Sequence, residues 1–150
     1  MTVEFQTEKL EAVVDDAKEL LFQHYQELTQ YKSKITLKPI WEKYFDLEKN
    51  SKFFLFTARE NTNLVGYSGF FLDRHIHYAD TLVAVNDVLF LKKEFRQGLT
   101  GIRLLKYSEK EMIKLGANKI SWHVKFSNDF RPILHRMGYL DEEVIVTKMV

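Results

Sequence analysis

Arg96-Gln97-Gly98-Leu99-Thr100-Gly101 is a short basic turn with two glycines, set between an apolar run and an amphipathic one. A strand that enters a helix through such a turn leaves several main-chain N–H groups without helical partners, with the positive end of the helix dipole behind them. That combination suits a pyrophosphate, to which Arg96 and Arg103 would add charge. Glycine-bearing junctions with a solvated arginine also occur without any ligand. Two other phosphate motifs fail on the residues themselves: no Gly-Lys-Ser/Thr ending is present, and the dinucleotide fingerprint needs a third glycine. Asp87 interrupts the apolar run before the turn. A carboxylate is costly to bury there without a partner, so Asp87 is either a functional carboxylate or is held by a neighbouring backbone group or arginine. His123, grouped with Ser121 and Lys125 on the polar face of the next strand, is either a proton shuttle or a hydrogen-bonded structural histidine.

The elements that must position these residues follow from periodicity. Val3–Phe5 is a short strand. Leu10, Val13, Val14, Ala17, Leu20, Leu21 and Leu28 then recur at helical spacing, with Thr7 as the expected cap. Pro39 opens a second helix through Trp41, Tyr44, Phe45 and Leu47 to Asn50. Phe53–Arg59 and Leu64–Leu72 form a hairpin about Asn61-Thr62-Asn63. Leu82–Leu91 is apolar on both faces, with Leu82, Ala84, Val88 and Phe90 expected on one and Val83, Val85, Leu89 and Leu91 on the other, which places it inside a covered sheet. Its helix runs from Gly101 to a stop at Gly116. Ile120–Phe126 is the next strand, Ser127 or Asn128 caps a short helix ending at Gly138, and Val144–Met149 closes the sheet.

Composition excludes several function classes. A chain of 150 residues with 45 % apolar and 14 % aromatic content is expected to form one domain, residues 1–150, burying roughly two thirds of its unfolded surface. The formal charge of +1 gives no support to a nucleic-acid or anionic-membrane surface. With no cysteine, disulfides, thiolate metal sites and a cysteine nucleophile are excluded. The five histidines show no zinc spacing beyond His75-x-His77. Met1–Gln6 lacks the features of a signal peptide and no stretch resembles a membrane span, so a cytoplasmic protein is expected.

The turn resembles the motif of the GCN5-related N-acetyltransferases: Arg or Gln, two residues, Gly, one residue, then Gly or Ala. Aligned on Leu104-Leu105, the three key places hold Arg96, Leu99 and Gly101, so the middle glycine is a leucine and Gly98 stands one position earlier. The order of elements along the whole chain is similar to that family's, down to Asn128 near the fourth helix and the Gly138-Tyr139 exit. The wording of "HYADTLVAVNDVLFL" and "WHVKFSNDF" looks like the small acetyltransferases of bacteriophages and prophages.

The resemblance implies an α/β (α+β) fold with a mixed, mostly antiparallel twisted sheet of about six to seven strands, flanked by about four helices on both faces. It also implies acetyl-CoA as cofactor, its pyrophosphate at Arg96, Gln97, Gly98, Leu99, Thr100, Gly101 and Arg103. The pantetheine arm would lie along the main chain of Leu89, Phe90 and Leu91, with Asn128 near the thiol. A free N–H at a bulge in that strand would polarise the thioester carbonyl. Asp87, nine residues before Arg96, falls where relatives place acidic residues beside the acceptor, which implies a base or amine anchor, and Tyr25, Tyr31 and Trp41 fall where relatives shape the acceptor pocket. The tyrosine that many relatives use as acid is replaced by Leu134, which leaves His123, His135 or water for that role. The expected activity is direct transfer of acetyl to a primary amine by a monomer or homodimer. The alternative is a catalytically inactive acyl-CoA-binding or host-protein-binding module of the same fold.

Overall fold

The computed structural model describes residues 2–150. A five-stranded sheet in the order β1-β2-β3-β4-β5 forms its centre. The strands are β1 (Val3–Glu8), β2 (Phe53–Glu60), β3 (Asn63–His75), β4 (Tyr78–Leu91) and β5 (Lys119–Ser121); the helices are α1 (Leu10–Leu28), α2 (Trp41–Lys49), α3 (Thr100–Lys114) and α4 (Arg131–Arg136). The first four strands pair antiparallel, and β5 runs parallel to β4.

Strand alternation separates two cores. Phe53, Leu55, Tyr67 and Phe90 pack with Leu10, Ala17 and Leu20 of α1, flanked by Trp41 and Tyr44 of α2. On the opposite face Phe56, Phe70 and Ala84 surround Met112, while Ala58, Val65 and Leu91 surround Leu104. Helix α3 therefore lies on one face of the sheet and α1 and α2 on the other.

Three expectations need correction. The sheet has five strands, because Val144–Met149 is not a strand and Val144, Ile145 and Val146 are exposed. The expected Ile120–Phe126 strand pairs only over Lys119–Ser121, then leaves the sheet for a single 3-10 turn at Phe126–Asn128. An edge three residues long offers a sixth strand too short a ladder, and the C-terminal segment is tied there instead by the Lys119–Glu142 ion pair at 2.7 Å. Second, β1 continues through Thr7, so Thr7 does not cap α1. Glu48 does so from α2: its buried carboxylate accepts Leu10 N at 2.5 Å and Glu11 N at 3.2 Å. Glu48→Ala is expected to lower stability by about 1–2 kcal/mol, measurable by urea unfolding.

The third correction concerns β4. Gly69 pairs with Val88 but Phe70 pairs with Asn86, so Asp87 is an extra residue without a partner on β3, which makes a β-bulge. The expected common face of Leu82, Ala84, Val88 and Phe90 is thereby broken. Leu82 and Ala84 pack beside Met112, whereas Val88 and Phe90 pack toward α1. Two features hold the bulge. The Asn86 side chain, 2 % exposed, donates from Nδ2 to the carbonyls of Gly69 (3.1 Å) and Val88 (3.0 Å). Gly69 opposite has no side chain because a Cβ there would lie 2.8 Å from Val88 Cγ2.

Candidate active site

The bulge turns Asp87 toward α2. Tyr44 Oη donates to Asp87 Oδ2 at 2.6 Å, the neighbouring-group partner that a carboxylate in this strand requires. Burial pushes the Asp87 carboxyl above its ordinary range, opposed by the Tyr44 hydrogen bond and by the nearby charge of His123. The same burial, with Asp87 beside them, pushes the Tyr44 and Tyr67 phenols upward, so both keep their protons at neutral pH. Tyr67 Oη lies 2.7 Å from His24 Nδ1, and the His24 ring stacks on Phe90 at 5.1 Å. Burial, then the charge of Lys125, lowers His24 to about 4, so it is neutral at pH 7.

Asp87 and Tyr44 open onto a cavity of about 340 Å³ between the sheet and α1–α2, lined by Trp41, Phe53, Leu55, Tyr67 and Val88 among others. Tyr25 and Trp41 line it, as does the 35–39 segment, while Tyr31 is not among its walls. His123 is exposed just beyond β5, acting on Asp87 through its charge rather than by direct contact.

On the other side of the bulge the edge of β4 opens. Pairing with β5 covers only Val83–Val85, and from Asn86 to Leu91 that edge has no strand partner. Lys92 N donates to Val65 O on β3, so strand alternation directs the polar groups of Phe90 to β3 and those of Leu89 and Leu91 to the open edge. Of the three residues expected to present main chain there, Leu89 and Leu91 do so and Phe90 does not. The Leu91 carbonyl already accepts Arg96 Nε at 2.7 Å.

Past a 3-10 turn at Lys93–Phe95, the glycine-bearing turn enters α3. Gly98 has φ +78°, a left-handed conformation that glycine adopts without strain. Among the described residues, the N–H groups of 97–102 make no hydrogen bond within the chain. Helix α3 also has no side-chain cap and no acidic residue in its first turn. Six successive free donors at the positive end of a 15-residue helix form a donor set that fits a diphosphate. Arg96 is not free to join them: its guanidinium forks onto Glu27 of α1, with one contact at 2.9 Å, and lies over the Phe90 ring. That pairing holds the Glu27 carboxyl below its ordinary range. Arg103 is exposed and forms no ion pair among the described residues. Asn128 sits exposed in the Phe126–Asn128 turn.

Tyr44, Tyr67, His24, Asn86 and Glu27 were not singled out by sequence. The one available signal was indirect: a buried Asp87 demands a donor. Which helix supplies it depends on packing.

Residues 11–139 match the Acetyltransferase (GNAT) family, and the chain belongs to that family. No curated protein matches it in sequence. Solved structures share the fold at low identity. A transcriptional regulator from Bacillus halodurans superposes with a TM-score of 0.77 at 12 % identity, covering 99 % of this chain and 100 % of that one. An aminoglycoside acetyltransferase from an uncultured soil metagenomic sample gives 0.76 at 14 % identity, covering 100 % and 99 %. A predicted acetyltransferase with acetyl-CoA from Clostridium acetobutylicum gives 0.75 at 12 % identity, covering 99 % and 96 %. Among the described residues no helix is long and apolar enough to cross a membrane, and no cluster of side chains could hold a metal ion.

Proposed function

We propose that the chain is an N-acetyltransferase that moves an acetyl group from acetyl-CoA to a primary amine by direct transfer. The observation that carries this is the six free N–H groups of residues 97–102, which continue from an unpaired strand edge whose other face presents Asp87. Main-chain donors from Gln97 to Gly101 would hold the diphosphate, with Arg103 adding charge and Arg96 fastening the turn to α1 through Glu27. Leu89 and Leu91 would hold the pantetheine arm, and Asn128 would stand near its thiol end. When bound, acetyl-CoA supplies an acyl carbon activated by its thioester.

Asp87 would anchor the amine and take its proton. An amine of pKa near 10.4 is neutral in only about one molecule in 2500 at pH 7, a barrier of roughly 4–5 kcal/mol. Fixing the amine against the acyl carbon supplies about 7–11 kcal/mol, so positioning outweighs the base. Tyr44 holds one Asp87 oxygen and leaves the other for the amine. In that role Asp87 would take the amine proton, and water or His123 would supply a proton to the departing thiolate. A bacteriophage or prophage source is part of this proposal and rests only on the wording of residues 77–91 and 122–130.

A second reading, acyl-CoA binding without turnover, draws on Leu134, which is 4 % exposed and packed away where many relatives carry a tyrosine acid. Thiol release with an amine panel separates the two: release above background supports transfer, and binding without release supports the module. Cofactor binding itself is tested by melting. At a hundredfold of its Kd a ligand adds about 2.7 kcal/mol, so acetyl-CoA should raise Tm by about 5–10 °C. In Gly101→Glu the rise should be lost while the fold persists, since a Cβ there meets only Leu91 Cδ2 at 3.9 Å.

A further inference from the structure

Resting on the transferase reading, we infer that the acceptor is a small apolar monoamine, whose one ammonium meets Asp87 while its hydrocarbon or aromatic body fills the cavity between the sheet and α1–α2. The size and chemistry of the walls support this. At about 340 Å³ the cavity stands at the small end of small-molecule sites. Among the described residues Asp87 is the only carboxylate lining it, and Tyr44 beside it donates to that carboxylate. Ala17, Leu21, Trp41, Phe53, Leu55 and Val88 line it with apolar surface.

One anionic group among apolar walls can match one cation and no more. A second ammonium on the same ligand would have to be desolvated against Leu and Phe side chains, which is costly without a partner. The approach disfavours polycations as well. The segment 29–40, which supplies the wall from Ile35 to Pro39, carries Lys32, Lys34 and Lys38 and no Asp or Glu. Lys38 itself lines the cavity and is exposed to solvent. A polyamine or aminoglycoside would meet repulsion at the entrance and a single carboxylate inside. An aromatic or alkyl amine loses water from its body favourably and presents its charge where the carboxylate is.

The test is a competition of acceptor classes. Thiol release is measured with acetyl-CoA and 2-phenylethylamine, hexylamine, spermidine or kanamycin, and binding of each amine is measured by calorimetry with and without coenzyme A. The expected kcat/KM for 2-phenylethylamine exceeds that for spermidine and kanamycin by at least about tenfold, the equivalent of one poorly matched charge. Lys38→Glu, at an exposed position, should narrow that ratio by about threefold or more through the spermidine value. Faster acetylation of spermidine or kanamycin overturns the inference and leaves the transferase reading standing. Calorimetric binding of 2-phenylethylamine with no thiol release from any amine overturns the transferase reading and leaves the pocket assignment. Absence of both binding and turnover for the two apolar amines overturns the inference.

Discussion

Asp87→Asn is expected to lower kcat by about 10²–10⁴-fold near neutral pH, the range associated with loss of a positioned general base. The rise in Tm caused by acetyl-CoA should be unchanged, because the donors of residues 97–102 do not involve this side chain. Asparagine retains the shape and can still accept from Tyr44, so the loss would report the charge and not the geometry. The pH profile supplies a second readout. Burial raises the Asp87 carboxyl in the folded protein, so the acid limb of kcat/KM should lie above the ordinary carboxylate range, with activity rising as pH rises through it. The sign for stability is the reverse. The folded state binds the proton more tightly than the unfolded state, so this group's contribution declines as pH rises through the folded value. At pH 7 the variant should therefore melt at or above the temperature of the parent while losing turnover. A variant that keeps full activity would remove Asp87 from the proposed chemistry.

Arg59→Leu is expected to give the largest loss of stability. Arg59 is 8 % exposed, and its guanidinium donates to Glu8 at 2.8 and 3.3 Å, to the Thr62 carbonyl at 2.6 Å and to Asp16 at 3.4 Å. It joins β1, the β2–β3 turn and α1 through one group. Removing it leaves Glu8 with Thr57 as its remaining partner. One-sided removal of a buried pair costs about 3–5 kcal/mol, and the low end applies because the Glu8 side chain is 20 % exposed. For a chain of this length, about 3 kcal/mol corresponds to a fall in Tm of about 6–12 °C. Adding Glu8→Gln should recover part of it, which a double-mutant cycle measures.

The sequence made some parts of this legible for physical reasons. Helical spacing from Leu10 to Leu28 and the doubly apolar run ending at Leu91 report which faces must be covered, and the covered faces were found. A charge in that run marked Asp87, and free donors were foreseen at the turn because helix starts always leave them. What stayed hidden depends on contacts distant along the chain. The cap of α1 comes from Glu48, and the partner of Arg96 from Glu27, neither of which lies near its counterpart in sequence. Residues Val144–Met149 have strand composition, but composition carries no information about whether an edge is available. The resemblance implied a bulge in this strand, but its position and its effect on the two faces of β4 follow only once Gly69 and Asn86 are placed opposite one another.

The ladder does not count that extra residue. Alternation on β3 runs unbroken through Gly69 and Phe70, so deleting Asp87 would let β4 close onto it with Val88 and Phe90 still toward α1 and Leu89 and Leu91 still toward α3. An insertion or deletion at a paired position of β4 would instead exchange the two faces beyond it. Asp87 is thus a spacer whose loss would leave both cores filled while removing the kink and the carboxylate together.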